Sequence, residues 1–420
     1  MRHFGFLSDE QASLVFHTLP QRLELDSPAP LLAVALGATL YCPGTRPGLV
    51  AAVHKQAARG CLSMVLCLED SVADDEVEQA EDAVVAALLE LRAEQVSAAR
   101  AVARGADPDD VAPAVPMLFV RVRTPEQMRS VAERAGDALD VLSGFVIPKF
   151  ENQSGYADRF FAVLHEIHER FDQAGGDGRR RLRVMPILES PVMIHAETRA
   201  SALEGITAVL DRNRDDVLAV RIGATDLASV FGLRRSRDLT IYDVGVVASV
   251  IADIVNVLGR RERAFVISGP VWEHYVNTER MLRPQLRMTP FVEADDMQLR
   301  KELLLSNFDG LLREIALDQA NGITGKTVIH PTHVALVHAM SVVSHEEFLD
   351  AQAVVGRRGG GAVASPYGNK MNEMKPHTAW AERTLLRAAA FGVALEGVTF
   401  VDLLEASMRE ASLTPAGGAA

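Results

Sequence analysis

Residues 184–189 read Val-Met-Pro-Ile-Leu-Glu, and residues 218–226 read Leu-Ala-Val-Arg-Ile-Gly-Ala-Thr-Asp. Each stretch begins as a short apolar run, typical of a buried β-strand, and leads directly into a carboxylate. Longer stretches rich in Ala, Leu and Glu, helical in character, usually follow such runs in this chain. A strand followed by a helix is the repeating unit of a parallel sheet, so this pattern predicts the α/β class.

The same pattern recurs along the rest of the chain. Residues 76–92 lack Gly and Pro and favour a helix, and Pro125 follows Thr124, a suitable N-cap, at the start of another. Eight strand–helix units predict a closed TIM-type (β/α)8 barrel rather than an open sheet. The eight predicted strands are Leu36–Tyr41, Met64–Leu68, Met117–Val122, Gly144–Pro148, Val184–Leu188, Leu218–Gly223, Ala264–Ser268 and Thr327–Ile329.

The chain has 420 residues, more than the roughly 250 that such a barrel usually needs. We therefore predict additional segments around it. The Gly-Gly-Gly sequence at 359–361 indicates a flexible linker, and the Ala- and Leu-rich stretch after residue 377 indicates a C-terminal helical arm. The predicted segments are an N-terminal extension (1–35), the barrel (36–345) with insertions near 93–116 and 270–300, the linker (346–376), the arm (377–413) and a disordered tail (414–420).

Composition narrows the possible partners and compartment. With 43 Lys and Arg against 56 Asp and Glu, the formal net charge is −13, which argues against binding to nucleic acid. The three cysteines, Cys42, Cys61 and Cys67, form neither a disulfide framework nor a CxxC pair, which fits a reducing compartment. The sequence shows no signal peptide and no apolar run long enough for a bilayer. We expect a cytoplasmic protein without a membrane partner.

Polar residues follow the predicted strands, at the end where TIM barrels carry their active sites. Glu189 and Asp226 each come directly after a convincing strand, and one or two carboxylates are the usual protein ligands of Mg²⁺. Arg46 and Arg121 suit two-pronged binding of a carboxylate or an enolate oxygen. Such a site would stabilise negative charge that develops on oxygen, as aldol or Claisen cleavage requires.

Seven short motifs then point to a family. In order and spacing, from about residue 36 to 340, they resemble those of the HpcH/HpaI aldolase and citrate lyase β-subunit family, in a divergent bacterial branch. The first motif corresponds to a family pattern written F-x-P-G-x-R-P. The seven are Tyr41-Cys42-Pro43-Gly44-Thr45-Arg46-Pro47, Leu68-Glu69-Asp70-Ser71-Val72, Phe119-Val120-Arg121-Val122-Arg123, Val146-Ile147-Pro148-Lys149, Leu188-Glu189-Ser190-Pro191, Gly223-Ala224-Thr225-Asp226-Leu227 and Gly325-Lys326-Thr327-Val328-Ile329-His330-Pro331.

The resemblance implies a Mg²⁺-dependent carbon–carbon lyase that acts on a small hydroxy or oxo acid, or on its acyl-CoA thioester, through a metal-stabilised enolate. It implies that Glu189 and Asp226 bind the metal and that Arg46 and Arg121 grip the substrate. The remaining expected site residues are Glu69 and Asp70, which would orient the arginines, and the substrate-binding Tyr41, Arg123, Lys149, Ser190, Thr225 and His330.

The C-terminal arm carries a further implied residue. Glu373 stands where the family has Asp, and in relatives this acid reaches the site of a neighbouring subunit. We therefore expect a homo-oligomer, a trimer or hexamer, in which the arm packs on another subunit. The alternative is an arm folded back on its own barrel.

The chain departs from the family motifs at two positions, and two other functions stay open. Arg123 replaces the family's Asn, which changes the charge at the mouth, and the Asp-to-Glu change at 373 adds to the doubt about a CoA substrate. A thioester hydrolase could use the same residues, and would release free CoA without a keto acid. A non-catalytic ligand-binding barrel would require loss of a metal carboxylate, whereas Glu189 and Asp226 are both present.

Overall fold

The structure, a computed structural model, describes residues 1–107, 115–173, 180–275, 308–357 and 359–413. Its strands lie in three sheets, of which one contains eight parallel strands and forms the centre of the molecule. The strands are β1 (Phe16–Thr18), β2 (Ala38–Pro43), β3 (Ser63–Cys67), β4 (Met117–Arg121), β5 (Leu142–Ile147), β6 (Arg183–Leu188), β7 (Val220–Ile222), β8 (Ile267–Ser268), β9 (Lys326–Val328), β10 (Ala362–Ala364), β11 (Met371–Glu373) and β12 (Val393–Ala394).

Helices connect the strands of the central sheet and continue beyond it. Short 3₁₀ helices lie at Asp74–Glu76, Gly136–Val141, Arg214–Asp216, Ile241–Asp243 and Arg261–Arg263. The α-helices are α1 (Asp9–Val15), α2 (Ala29–Ala35), α3 (Leu49–Ala58), α4 (Val77–Val102), α5 (Pro125–Ala135), α6 (Tyr156–Gln173), α7 (Pro191–Ile194), α8 (Ala196–Arg212), α9 (Ala224–Ser229), α10 (Gly245–Leu258), α11 (Asp309–Ala320), α12 (Thr332–Ser341), α13 (His345–Val355), α14 (Met374–Phe391) and α15 (Phe400–Leu413).

The central sheet closes on itself. Its strand order is β8-β7-β6-β5-β4-β3-β2-β9, with every neighbouring pair parallel. The two edge strands meet at Gly269, whose N–H donates to Gly325 O at 3.1 Å and whose carbonyl accepts from Thr327 N at 3.0 Å. The predicted (β/α)8 barrel is therefore confirmed, and all eight predicted strands coincide with observed ones.

Apolar packing on both faces of the strands explains why they are continuous apolar runs. Helices cover the outer face of a parallel sheet, so both faces of each strand are buried. Inside, Phe119 and Met185 belong to one apolar cluster with Leu32 and Leu36, at the end of α2. Helix α2 leads directly into β2, so it closes the amino-terminal end of the barrel, here called the foot. The opposite end, where the strands terminate, is the mouth.

The C-terminal arm packs on its own barrel. Helix α14 contacts α2 and α13, and the short strand β12 pairs antiparallel with β1 of the N-terminal extension. Phe391, at the end of α14, is fully buried and stacks on His3 with ring centroids 4.2 Å apart. These contacts favour the alternative in which the arm folds back on its own chain, over the foot of the barrel.

The prediction of a flexible linker over 346–376 was wrong in most of its length. Helix α13 spans its first third, and β10 pairs with β11 in a hairpin. Asp350, fully buried, fixes the hairpin by contacts with Lys370 at 2.9 Å and Asn372 at 2.7 Å. These tertiary contacts outweigh the local glycine signal, since the glycines at 359–361 occupy only the connection before β10, with φ of 118°, 88° and 95°.

Other predicted boundaries also shift. Helix α4 continues to Val102, so residues 93–102 belong to a barrel helix rather than to an insertion, because Ala, Glu, Gln and Arg, all good helix formers, continue its helical pattern without Gly or Pro. The arm helix begins at Met374 rather than at residue 377. Much of the predicted insertions and all of the tail, namely 108–114, 276–300 and 414–420, lie outside the described residues.

Candidate active site

The two predicted metal ligands meet at the mouth. Glu189 follows β6, and Asp226 lies in the first turn of α9, after β7. Leu188 and Ile222 are register partners, so the residues after them emerge side by side. The carboxyl groups of Glu189 and Asp226 lie within hydrogen-bonding distance of each other.

Gly223 makes this approach possible. A Cβ atom at this position would lie only 2.1 Å from Glu189 Oε2 and 2.4 Å from Glu189 Cβ. No side chain tolerates such an overlap, and the φ of Gly223 is an ordinary −97°, so the requirement here is for space rather than for backbone freedom. The glycine of the sixth motif is therefore part of the site's construction.

Burial makes negative charge costly on this carboxyl pair. Burial first, and then the nearby Asp226, raise the pKa of Glu189 to about 7, while Arg121 acts in the opposite direction. Burial and the neighbouring Asp70 also raise the pKa of Asp226. Two adjacent carboxyls that resist ionisation together are stabilised as carboxylates when a divalent cation lies between them.

The donor set fits Mg²⁺. Within the described part of the chain, no group of three or more His, Cys, Asp or Glu side chains is arranged to hold a metal ion, so this pair supplies two carboxylates. That number is usual for Mg²⁺, which completes its shell with waters and substrate oxygens. The hydroxyl of Ser190, next to Glu189, is 4% exposed and has no hydrogen-bond partner among the described residues, which leaves it for such a water or substrate oxygen.

Arg121, at the end of β4, faces the pair. Its Nη2 atom makes every one of its carboxylate contacts, with Glu69 at 2.7 Å, Asp70 at 3.1 Å and Glu189 at 3.0 Å. Burial opposes its charge, but these neighbours, Glu189 first, raise the pKa of Arg121 above its ordinary value. The Nε atom is buried and without a partner among the described residues. Nη2 of the guanidinium is thus held by protein carboxylates, whereas Nε is left to bind a ligand.

Lys149 completes the mouth cluster, which we define as Glu69, Asp70, Arg121, Lys149 and Glu189. Its Nζ contacts Glu69 at 2.6 Å and Asp70 at 3.5 Å. Although burial opposes it, Glu69 raises the pKa of Lys149, so the amine stays protonated. Lys149 also has a φ of 48°, unusual for a residue other than glycine, and in this conformation its N–H donates to Glu189 Oε1 at 2.9 Å.

Two predicted arginines play smaller parts at the mouth. Arg46 is exposed on the loop after β2 and hydrogen-bonds to the Cys42 thiol, so the acids orient Arg121 but are not seen to orient Arg46. Arg123 donates to Leu68 O at 2.8 Å and to Val72 O at 2.6 Å. Its guanidinium braces the loop after β3, and its contact with a substrate stays a prediction.

The other predicted residues lie at different depths. Tyr41 lies at the end of β2, beside the mouth cluster. Thr225 is exposed on α9 and lies 3.4 Å from Glu273 Oε1. His330 stacks on Tyr275 with centroids 4.8 Å apart. All three belong to the mouth end of the barrel, and their contact with a substrate stays a prediction.

Glu373 is not part of the mouth of its own barrel. It is exposed at the start of α14, and that helix crosses the foot, where Arg383 donates to Gly259 O at 3.0 Å. Its approach to the mouth of a neighbouring subunit stays a prediction.

Arg221 was not identified from the sequence. It lies in β7, is 1% exposed, and its guanidinium carbon lies 5.7 Å from the centre of the Tyr41 ring. The available signal was a charged residue inside an apolar strand, in Leu218-Ala219-Val220-Arg221-Ile222.

A family model matches residues 30–393, and its description is a C–C bond lyase of the TIM-barrel fold. The chain belongs to this family. It is a carbon–carbon lyase by that membership, and the match includes α14 and β12 as well as the barrel. No curated protein matches the chain significantly in sequence.

Solved structures of similar proteins are distant. The lyase is 20% identical to CitE from Mycobacterium tuberculosis in complex with magnesium, acetoacetate and coenzyme A, with a TM-score of 0.48, covering 85% of this chain and 99% of that one. It is 16% identical to RipC from Yersinia pestis (TM-score 0.42, 73% and 95% covered). It is 20% identical to the citrate lyase β-subunit of M. tuberculosis with oxaloacetate and magnesium (TM-score 0.40, 73% and 96% covered).

The described residues also bear on membrane insertion. None of their helices combines the length and the apolar composition that crossing a bilayer would take.

Proposed function

We propose that this lyase is Mg²⁺-dependent and cleaves or forms a carbon–carbon bond in a small hydroxy or oxo acid, or in its acyl-CoA thioester. The observation that supports the proposal is the carboxyl pair of buried Glu189 and half-buried Asp226, beside Arg121, whose Nε has no partner among the described residues. This arrangement combines a place for a hard cation with a place for an anionic oxygen.

The charged residues at the mouth would have separate roles in binding and catalysis. Arg121 would bind the carboxylate or the oxygen on which charge develops, through the edge that its own carboxylate partners leave open. Glu69 and Asp70 would hold the guanidinium in place, and Lys149 would fix Glu69 and, through its N–H, Glu189. Mg²⁺ held by Glu189 and Asp226 would supply a Lewis acid for the same oxygen.

A cavity lies beside α9, the helix that carries Asp226. Its volume is about 280 Å³, and its lining includes Thr225, Arg234 and Glu273. Its position next to Asp226 would allow a ligand held at the carboxyl pair to extend into it. Its mixed polar lining suits a small acid, and Arg234 provides a positive charge for a second acidic group.

The test is a turnover assay with Mg²⁺ on short hydroxy acids, oxo acids and their CoA thioesters. We expect keto-acid release that EDTA abolishes and that Glu189→Gln removes. Glu197→Gln is the control, because it makes the same change on an exposed helix position after β6. Release of free CoA without a keto acid would instead indicate the thioester hydrolase, and keto-acid release that is unaffected by EDTA would overturn the metal requirement.

Assembly into a homo-oligomer also stays a prediction. Truncation at Gly356 would remove α14 and β12, which pack on the barrel of the same chain, so it would damage the fold as well as any interface. Glu373→Gln is a better test, because Glu373 is exposed. If this acid completes a neighbour's site, we expect turnover to fall while the mass in solution and the thermal stability stay unchanged.

A further inference from the structure

A second buried arginine lies beneath the mouth. Arg221 is 1% exposed and projects from β7 into the barrel, where Nη1 donates to Thr39 Oγ1 at 3.1 Å and Nη2 donates to Thr327 Oγ1 at 2.6 Å. Nη1 also lies 3.8 Å from Met185 Sδ, and the guanidinium carbon lies 5.7 Å from the centre of the Tyr41 ring. In the part of the chain that the structure describes, no carboxylate contacts it.

This charge is therefore not compensated in the way that Arg121 is. Arg121 has three carboxylate neighbours, whereas Arg221 has only hydroxyls and a thioether. Burial, partly offset by Tyr41, lowers the pKa of Arg221, and the charge of Arg121 acts in the same direction. A buried, unpaired guanidinium is costly to a fold, and an anion nearby would offset that cost.

Tyr41 connects this charge to the mouth. The positive guanidinium lies 5.7 Å from the centre of its ring. Within the described part of the chain the Tyr41 hydroxyl donates no hydrogen bond, so its hydrogen is left for an acceptor at the mouth. The side chain is half-buried at the end of β2, near Arg121 and Glu189. In the motif that this segment resembles, the corresponding position is Phe, so the hydroxyl is a feature of this chain.

Unpaired buried donors surround the same place. They lie in or shortly after four strands of the barrel, β4, β6, β7 and β8, and none has a partner among the described residues. The four are Arg121 Nε, Ser190 Oγ, Arg221 Nε and Ser268 Oγ. Buried polar atoms of folded proteins almost always have partners, so a group of unpaired donors at a mouth indicates a bound acceptor.

We infer that Tyr41 donates a hydrogen bond to a negatively charged oxygen of the bound oxo acid or of its enolate, and that Arg221 is the positioning residue that orients this phenol and supplies the positive charge behind it. The inference rests on the proposed function. Its substrate class is a small acid with an anionic oxygen directed towards the interior of the barrel, close to Glu189 and Asp226.

The experiment measures binding by calorimetry in saturating Mg²⁺, with oxalate as a planar dianion that resembles an enolate and pyruvate as an uncleaved oxo acid. We expect Tyr41→Phe to weaken oxalate binding roughly 10-fold or more, and pyruvate binding less, because hydrogen bonds to charged acceptors are the stronger ones. Tyr156→Phe is the matched control, since that hydroxyl donates to the Arg123 carbonyl at 3.0 Å and not into the mouth.

Arg221 is tested through the same contact. Arg221→Met keeps an apolar stem of similar length, and we expect it to weaken oxalate binding about as much as Tyr41→Phe while Mg²⁺ affinity is unchanged. The double variant should be no weaker than either single variant, because the two residues act through one hydrogen bond. Arg221→Lys should recover most of the affinity by restoring the charge, which a purely structural role would not predict.

The possible outcomes distinguish a failure of this inference from a failure of the proposed function. If wild-type protein binds oxalate with Mg²⁺ and Tyr41→Phe binds it equally well, the inference is overturned and the proposed function stands. Multiplying losses in the double variant would overturn the positioning role of Arg221. If wild-type protein binds neither acid in Mg²⁺, the proposed function fails and the inference fails with it.

Discussion

Two buried clusters of charged residues lie in this barrel, and they are built differently. The mouth cluster contains Arg121 and Glu189, both nearly buried, but its Asp70 and Lys149 side chains are each 49% exposed. The second, here the Lys326 cluster, comprises Arg235, Tyr242, Glu314, Asp318 and Lys326. Lys326 is completely buried, with Glu314 at 2.9 Å and Asp318 at 2.7 Å.

The carboxylates of the Lys326 cluster have partners on every side. Glu314 also accepts from Ile241 N at 2.7 Å, and Asp318 accepts from the Tyr242 hydroxyl at 2.7 Å. The cluster ties α11 and β9 to the segment before α10. At the mouth, by contrast, Arg121 Nε and Ser190 Oγ have no partner among the described residues, and Glu189 and Asp226 are two adjacent acids. Arg235 Nε is likewise without a partner among the described residues, so the difference between the clusters lies in their carboxylates. Carboxylates that are each paired with a cation stabilise a fold, whereas two adjacent acids are arranged for a cationic ligand.

The largest expected effect is on stability, from Glu314→Gln. This change leaves Lys326 and Arg235 buried with too little negative charge, and removal of one member of a buried ion pair costs about 3–5 kcal/mol. Urea unfolding would measure the loss, and Mg²⁺ binding by the fraction that remains folded should be unchanged. A stability equal to that of wild type would show that the cluster is not structural.

Glu189→Gln makes the same change at the mouth and should have the opposite consequences. We expect Mg²⁺ affinity to fall by more than the roughly 100-fold that loss of an outer contact can cost, because a direct ligand is removed. The free energy of unfolding without Mg²⁺ should not decrease at pH 8, since burial already disfavours this carboxylate. Calorimetry and urea unfolding on one preparation would decide, and unaltered Mg²⁺ binding would contradict the assignment.

Arg121→Lys tests the open edge of the guanidinium. A lysine can replace the charge among Glu69, Asp70 and Glu189, so we expect the fold to persist. It cannot supply a planar second donor, and we expect kcat/KM to fall roughly 100-fold, the usual loss when one donor to a developing anion is removed. Steady-state assays on a substrate identified by the turnover assay described above would measure this loss. Full activity would show that Arg121 only holds the carboxylates.

The smallest effect concerns His3, at the foot, which is buried and has no charged partner among the residues that the structure describes. Burial lowers the pKa of His3 to about 4, so its imidazole is neutral in the folded chain but protonates near 6.5 once unfolded. The free energy of unfolding should therefore decrease as pH falls from about 6.5 towards 4, by about 2 kcal/mol between pH 7.5 and pH 5 from His3 alone.

His3→Phe keeps the stack on Phe391 and removes this titration. We expect urea unfolding at the two pH values to show a smaller difference for this variant than for wild type. His338, whose pKa burial also lowers, would still contribute the remainder. A pH dependence as large as that of wild type would show that His3 is already protonated in the folded chain, or that other groups determine the difference.

The eight strands and the positions of Glu189 and Asp226 could be predicted from the sequence. Strands that are buried on both faces must be short apolar runs, and the residue after each run must lie at the mouth, because all the strands are parallel. Helix α13 and the β10–β11 hairpin could not be predicted in the same way. Their signal was a glycine-rich segment, whereas Asp350, with its contacts to Lys370 and Asn372, fixes the hairpin by partners about twenty residues away.

The sequence by itself thus determined the barrel, the order of its strands and the carboxylates at the mouth, because each depends on local apolar patterning together with one rule of parallel topology. Only the tertiary structure decided which charged groups compensate each other. Arg121 and Arg123 are two residues apart, yet one faces the metal-binding pair and the other braces a loop. Arg221 meets Thr39 across 182 residues of chain, and closure of the barrel brings its guanidinium to within 5.7 Å of the centre of the Tyr41 ring.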